Sequence, residues 1–285
     1  GITSRHLGGA GAVRGAVGRS ARETVGGRCH ASTLGRASFT YGRTMTASYD
    51  ADVAPIAGLI GEPTRAAILS ALMSGTAYAA GELARHAGVS PATASSHLGR
   101  LLDGGLVTVE KQGRHRYYRL SGASVAAVLE ALAHISPRVA PVGLRQVRAS
   151  EALRRARSCY DHLAGWAGVA LYQSLVDKGW LSDGGATLTR SGEAALEPLG
   201  IEIQRLRRGR RPLVRSCLDW TERRPHLAGA LGAALLTCAL DRHWLRRIPG
   251  QPRALRITEE GEYGLATAFG LDVARASVEA TRAAT

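Results

Sequence analysis

Two short stretches of the 285-residue sequence bring together side chains that bind metals or do redox chemistry. They are Cys159-Tyr160-Asp161-His162 and Cys217-Leu218-Asp219, the latter followed seven residues after its aspartate by His226. Thiolate, imidazole and carboxylate together suit Zn²⁺, Co²⁺ or Ni²⁺, all ions of borderline softness. If the stretches meet in space, Cys159, Asp161, His162, Cys217, Asp219 and His226 are the candidate ligands of one divalent transition metal. The plain structural alternative has the histidines bonding within a helix pair, the cysteines filling core, and the aspartates pairing with Arg157 and Arg223. Two other readings stay open: a thiol switch at Cys159 or Cys217, and an organic effector among Trp166, Trp180, Trp220 and Trp244. A nucleophile–base reading of Cys159, Asp161 and His162 is the enzymatic rival. No Gly-rich nucleotide loop or Ser-centred elbow accompanies it, so the chain reads as non-enzymatic.

A second group of residues has the chemistry of a nucleic-acid surface. The run Val89-Ser90-Pro91-Ala92-Thr93-Ala94-Ser95-Ser96-His97-Leu98 opens on serine then proline, the pair that caps and starts a helix. Ala94, Leu98, Leu101 and Leu102 form its apolar face. The opposite face is small at its N-terminal end, which permits close approach to a groove. Ser90, Thr93, Ser95, Ser96 and His97 offer donors and acceptors to base edges or phosphates, and Arg100 lies one turn later. Downstream, Lys111-Gln112-Gly113-Arg114-His115-Arg116 places three permanent cations in six residues with no intervening acid, which suits phosphate. Lys111, Arg114, His115 and Arg116 therefore join the candidate DNA contacts.

The elements that must hold these residues follow from periodicity. Ile56, Leu59 and Ile60 repeat at helical spacing, Glu62-Pro63 opens a helix carrying Ile68, Leu69 and Leu72, and 79–86 is a third helix anchored by Leu83. Gly88 breaks the chain before the serine-rich helix, giving helix, short turn, helix. Gly104-Gly105 ends that helix; Leu106 to Val109 alternates into a strand that turns at Gln112-Gly113 and returns through Tyr117-Tyr118-Arg119-Leu120. A further helix covers 124–134, and Pro137 with Pro141 marks a boundary.

In order and spacing these residues resemble the ArsR family of winged-helix repressors. The resemblance is carried by Gly61-Glu62-Pro63-Thr64-Arg65, Gly81-Glu82-Leu83-Ala84, the 89–98 run and Gly105-Leu106-Val107, and it spans about residues 50–135. It implies a homodimer on a double-stranded DNA operator, with the first helix and the helix after the wing at the dimer interface. Ile56, Leu59, Val125, Val128, Leu129 and Leu132 are then the contact candidates; the alternative is that they belong to the monomer's own core. The thiolate site that some relatives carry in the third helix cannot exist here, since 80–86 holds no cysteine. The helix after the wing offers only Glu130 and His134, read as a surface pair four residues apart. A winged helix can also serve as a protein-interaction module, or as a redox or metal sensor without direct operator binding.

The rest of the chain sets the context. Net charge is +14, with seven arginines against one acid in 1–44. That segment is Gly-, Arg- and Ser-rich without apolar periodicity, so it reads as disordered, with Met45 as an alternative start. The expected domains are a winged helix at 45–136 and an effector-sensing or dimerisation domain at 144–285. Within the latter, His-Leu-Ala-Gly recurs at 162 and 226, Trp-Leu at 180 and 244, and Thr-x-x-Gly at 189 and 258. This predicts a tandem pair of winged-helix-like units at about 159–200 and 217–270. The fold class is therefore mainly α with small β-hairpins: a winged helix-turn-helix followed by a duplicated domain. The apolar run at 227–240 falls short of the roughly 20 residues of a membrane span and reads as a buried helix. With no secretory signal and no disulfide spacing among four cysteines, the expected place is the cytoplasm, at the nucleoid, with an unknown effector.

Overall fold

A computed structural model of the chain describes residues 51–273; the basic 1–44 segment and Met45 lie outside the described residues. The first part runs α1 (Ala54–Ile60), α2 (Pro63–Leu72), β1 (Tyr78–Ala79), α3 (Ala80–Ala87), α4 (Pro91–Asp103), β2 (Val107–Gln112), β3 (His115–Leu120) and α5 (Ala123–Ile135). The strands form one antiparallel sheet in the order β1-β3-β2. Register runs from Val107 opposite Leu120 to Gln112 opposite His115, so Gly113-Arg114 closes a two-residue hairpin, with Gly113 at φ 58°. This is a winged helix-turn-helix. Ile68, Leu72, Leu83, Leu98 and Leu101 form its core, all with no more than 1% of their surface exposed.

The motif Gly61 to Arg65 is structural chemistry. Glu62 caps α2 by accepting from the amides of Thr64 (3.0 Å) and Arg65 (2.8 Å), and Pro63 takes the first helical position, where no amide hydrogen is needed. The buried Arg65 reaches back, donating to the carbonyls of Leu59 (2.6 Å) and Gly58 (2.8 Å) at the end of α1. One five-residue motif thus fixes the junction of two helices.

Beyond an exposed connection at 136–143, the second part comprises α6 (Leu144–Arg155), β4 (Arg157–Cys159), β5 (His162–Ala164), α7 (Trp166–Asp177), β6 (Leu181–Ser182), β7 (Thr187–Leu188) and α8 (Arg190–Leu196). It continues with α9 (Ile203–Arg207), β8 (Arg215–Leu218), β9 (Pro225–Ala228), α10 (Gly229–Asp241), β10 (Leu245–Ile248), β11 (Gln251–Ile257) and α11 (Glu259–Phe269). The order hairpin, helix, hairpin, helix occurs twice: β4β5-α7-β6β7-α8 and β8β9-α10-β10β11-α11. Thr189 and Thr258 cap the closing helices, accepting from the amides of Gly192 (3.1 Å) and Gly261 (2.9 Å). The two halves meet reciprocally. A Cβ on Gly168 would lie 2.3 Å from the Leu163 carbonyl and 3.6 Å from His226 Cβ; one on Gly232 would lie 2.5 Å from the Leu227 carbonyl and 3.2 Å from His162 Cβ. Glycine is required at both places because each helix packs at backbone distance on the carbonyl of its own unit's hairpin, while the histidine of the other unit lies just beyond.

The structural alternative that has His162 and His226 bonding within a helix pair is not what the fold shows. Both lie on strands, β5 and β9, ahead of the helices. Strands of three or four residues, buried on most positions, carry no alternation for periodicity to detect. Of the four tryptophans, Trp166, Trp180 and Trp244 pack against the core cluster of the second part, and Trp220 stands apart from it. Trp220 lies under the Arg157 guanidinium (4.9 Å), Trp180 packs edge-on to Phe269, and Trp244 packs against Gly261 and Gly264. The apolar run becomes α10, whose Leu231, Leu235 and Leu236 are buried. No helix among the described residues is long and apolar enough to cross a membrane.

The two parts share packing across the connection. Cys159 and Ala164 are buried within the winged-helix core cluster, the Tyr160 amide donates to the Met73 carbonyl (2.7 Å), and Arg253 pairs with Glu130 of α5 (2.5 Å). Glu130 and His134 are therefore not a surface pair: Glu130 is buried and His134 Nε2 meets the Leu218 carbonyl at 2.9 Å. Inside the second part, Arg157 and Asp219 form an ion pair (2.8 Å) with both side chains fully enclosed. Removing one partner of such a pair leaves an uncompensated buried charge, at a cost of about 3–5 kcal/mol. Asp219→Ala should lower unfolding free energy by about that amount in urea denaturation. A loss under about 1 kcal/mol would show that water or another group replaces the carboxylate.

Candidate functional site

Two sites emerge, one on the surface of the winged helix and one buried beside it. On α4, Ser90 caps the helix through the Thr93 amide (3.1 Å) and its hydroxyl meets that of Thr93 (2.8 Å). Ser95 bonds back to the Pro91 carbonyl (2.9 Å). Thr93, Ser96 and Arg100 are exposed at three- and four-residue spacing and so share one face, while Ala94, Leu98 and Leu101 turn into the core. His97 departs from this face. It is half-buried, with Nδ1 3.1 Å from Glu62, and so sits between the α2 cap and the outer surface. At the wing, Lys111, Arg114, His115 and Arg116 are all exposed. The nearest acid on the hairpin, Glu110, is taken by Arg119 at 2.6 Å.

The outer side of α1 and α5 is apolar and open. Val53 is 70% exposed, Val128 46%, Leu132 37% and Ile56 37%, with Ile135 at 81%. Large exposed aliphatic residues grouped on two helices of one unit are the usual mark of a covered surface. Of the interface candidates, Leu59, Val125 and Leu129 are half-buried and pack against the winged-helix core.

The buried site is made by the two equivalent hairpins. Cys159 lies directly opposite His162 across β4–β5, and Cys217 directly opposite His226 across β8–β9. Directly paired residues hold their side chains about 4.5–5.5 Å apart at Cβ, so each hairpin presents one Cys–His pair on one face. The hairpins pack together so that the two imidazoles stack, with ring centroids 5.1 Å apart, and the two sulfurs lie at 4.0 Å. One ligand atom from each of Cys159, His162, Cys217 and His226 falls within 4.8 Å of every other. Cys159, His162 and His226 are buried and Cys217 is half-buried. Nε2 of His162 and both ring nitrogens of His226 are enclosed without a hydrogen-bond partner, each a polar group whose desolvation costs about 1–3 kcal/mol if nothing binds it.

Of the six residues that sequence reasoning grouped, Asp161 and Asp219 stand outside this cluster of four. Asp161 meets His162 Nδ1 at 3.1 Å and is clamped by Arg211. Asp219 is committed to Arg157, the Gly165 amide (2.6 Å) and the amide and hydroxyl of Thr221, with His226 Nδ1 3.9 Å away. Arg157 is thus the partner expected for an aspartate, whereas Arg223 contributes only its backbone amide to the Asp219 carbonyl. Burial pushes Asp161 upward, but hydrogen bonds and charge from His162 and Arg211 hold it at about 2. Burial likewise opposes ionisation of Asp219, and Arg157 with the surrounding donors overcomes it, keeping the carboxylate charged. The Cys159 thiol, His162 and His226 together draw Cys217 toward thiolate, while contact with Cys217 and burial push Cys159 the other way. The sequence names Glu130 only as a surface partner of His134 and gives no sign of Arg253; their pairing joins segments 123 residues apart, and no local pattern marks it.

A family profile described as "Helix-turn-helix domain" matches residues 60–110. The "Uncharacterized HTH-type transcriptional regulator YdfF" of Bacillus subtilis (strain 168) is 45% identical over 213 residues, 74% of this chain and 94% of that protein. A match of that length cannot be held within 45–136, so it runs into the second part as well. The HTH-type transcriptional regulator CmtR of Mycobacterium tuberculosis is 37% identical over 76 residues, 27% of this chain and 64% of that protein. Among solved structures, the cadmium metal-sensor CMTR from Mycobacterium tuberculosis is 33% identical, covering 31% of this chain and 99% of its own, at a TM-score of 0.26. The homodimeric winged helix-turn-helix domain of Mb0332 from Mycobacterium bovis is 31% identical, covering 28% and 73%, at 0.27.

Glu62 gives this surface a pH dependence. Partial burial raises its pKa, but the amides of Thr64 and Arg65, the Thr64 hydroxyl and His97 lower it more, to about 2. A depressed carboxylate contributes stability above its unfolded pKa, about 4.3, and loses it as pH falls toward the folded value. Glu62→Ala should cost about 0.5–2 kcal/mol at pH 7, as loss of a helix cap does. In urea titrations the gap between wild type and variant should close between about pH 4.3 and 2; a gap independent of pH would contradict the capping role.

Proposed function

The chain belongs to the helix-turn-helix-type transcriptional regulators, in the winged form that its ArsR-like motifs describe, and on that premise we propose that it is a homodimeric, operator-specific repressor. The observation that carries this reading is the joint exposure, on one winged helix, of the α4 face and an acid-free cationic wing tip. In this reading α4 enters the major groove, where Thr93 and Ser96 meet base edges and Arg100 meets phosphate. Ser90 and Ser95 shape the helix start, and His97 positions α4 against Glu62 instead of reading bases. Lys111, Arg114, His115 and Arg116 lie along the flanking phosphates. The exposed face of α1 and α5 holds two copies together about a two-fold axis, matching the symmetry of a palindromic operator. Such a protein works at the nucleoid, in the cytoplasm.

Two measurements test this. Each lost phosphate contact makes the plot of log affinity against log salt shallower by about 0.9. For Arg114→Ala/Arg116→Ala on operator DNA the slope should therefore fall by about 1.8, with weaker binding. An unchanged slope would remove the wing from the interface. Introducing charge at Val128 and Leu132, as Val128→Asp/Leu132→Asp, should shift sedimentation from dimer to monomer and take operator affinity with it. A double variant that stays dimeric would place the interface elsewhere.

A further inference from the structure

We infer that Cys159, His162, Cys217 and His226 bind one divalent transition-metal ion of the Zn²⁺ class tetrahedrally, and that α5 communicates its presence to the DNA-binding half. The regulatory half of this inference rests on the operator-binding reading, whereas the site itself does not.

Geometry comes first. Bond lengths of about 2.3 Å to sulfur and 2.0–2.1 Å to nitrogen put tetrahedral ligand atoms about 3.3–3.8 Å apart. The sulfurs lie at 4.0 Å and all four atoms within 4.8 Å, so small side-chain rotations close the shell. Two thiolates and two neutral imidazoles around a dication give a centre with no net charge, which suits an enclosed position. Four protein ligands leave no open position, the pattern of a structural or sensing site.

The surroundings point the same way. His162 Nδ1 is held by Asp161, itself clamped by Arg211, which leaves Nε2 buried, unpartnered and aimed into the cluster. Asp219 stands in the equivalent place beside His226 Nδ1. Carboxylates behind metal-binding histidines fix ring orientation in this manner. A Cys159–Cys217 disulfide is the competing use of the sulfurs, but it would leave His162 Nε2 and both ring nitrogens of His226 without partners. On binding, the thiol protons of both Cys159 and Cys217 pass to solvent.

The route to DNA is α5. Ala123, Ala126, Ala127 and Glu130 of α5 line a small cavity shared with Cys159 and Cys217. Arg253 joins Glu130 to the Ser158 carbonyl, one residue before Cys159 (3.2 Å). His134 meets the Leu218 carbonyl, one residue after Cys217 (2.9 Å). One face of α5 thus touches the flanks of both sulfur ligands, and the other carries Val128 and Leu132, exposed on the proposed dimer surface.

The test uses the full chain, reduced and stripped with chelator, then titrated with Co²⁺ and with Zn²⁺. We expect one ion per chain, sulfur-to-cobalt charge transfer, and the intense visible bands of tetrahedral cobalt. Cys217→Ser should abolish that spectrum while far-UV circular dichroism persists. Asp161→Asn should keep the spectrum but weaken binding by about 10–100-fold. No stoichiometric uptake, a spectrum unchanged by Cys217→Ser and Cys159→Ser, or a native disulfide without uptake after reduction would each overturn the site. Operator affinity measured with Zn²⁺ and with chelator should differ by about 5–150-fold in wild type and not in Cys217→Ser. Equal affinities in a metal-binding wild type would overturn the α5 coupling. Failure to bind DNA in either state would overturn the operator reading, with the cobalt titration still deciding the site.

Discussion

The buried Asp219 carboxylate is the constraint on which the second part of the molecule depends. Its Oδ2 takes Arg157 from β4 and the Gly165 amide at the start of α7, while Oδ1 takes Thr221 and the Glu222 amide within its own hairpin loop. One side chain therefore locks the loop of the second hairpin to the strand and helix of the first. A charge so enclosed is tolerable only because nearly every lone pair is used, and the neutral acid could not hold Arg157 in return. This clamp, with the shared apolar core of Leu163, Leu171, Leu227 and Leu231, holds Cys217 and His226 against Cys159 and His162. The glycines at 168 and 232 let each helix lie close on its own hairpin with the other unit's histidine beside it, and the two imidazoles stack.

Legibility in the sequence tracked the range of the interactions. The winged helix was readable in detail because its signals are local: a serine cap followed by proline, leucines at helical spacing, alternation into a hairpin with glycine at the turn. The six-residue metal grouping was readable from chemistry and repetition, but its inner composition was not. Which residues ligate and which stand behind depends on the strands being hairpins with Cys and His in direct register. Strands of three or four residues leave no periodic trace, so the sequence offers a helix pair as the setting of the histidines. Arg211 on Asp161 and Arg253 on Glu130 were beyond reach for another reason: an arginine-rich chain offers many partners, and only the fold selects among them.

The charge balance illustrates the same point. A net charge of +14 suggests a polyanion partner without saying where it binds. Arg65, Arg157, Arg211 and Arg253 are spent on internal carbonyls and carboxylates, and Arg119 is paired on the wing itself. What distinguishes the wing tip is not density of charge but absence of acids among exposed cations at the end of a stiff two-stranded lever. That arrangement adds affinity for phosphate without fixing sequence, which is left to the small polar face of α4.

Helix α5 joins these two chemistries because its polar residues Glu130 and His134 meet the second part while Val128 and Leu132 are exposed. Glu130 is enclosed only because Arg253 arrives from the other part, and one of its carboxylate oxygens still has no partner. A buried carboxylate with a single strong donor is held in place by that donor, so α5 cannot slide along the second part without breaking the pair. Its inward position is therefore tied to β11 and, through Arg253, to the strand bearing Cys159. Its outward side chains make no such directional bonds and can adjust. In the proposed coupling, a change in how closely the two hairpins approach is passed through these bonds to α5, whose Val128 and Leu132 are exposed on the proposed dimer surface.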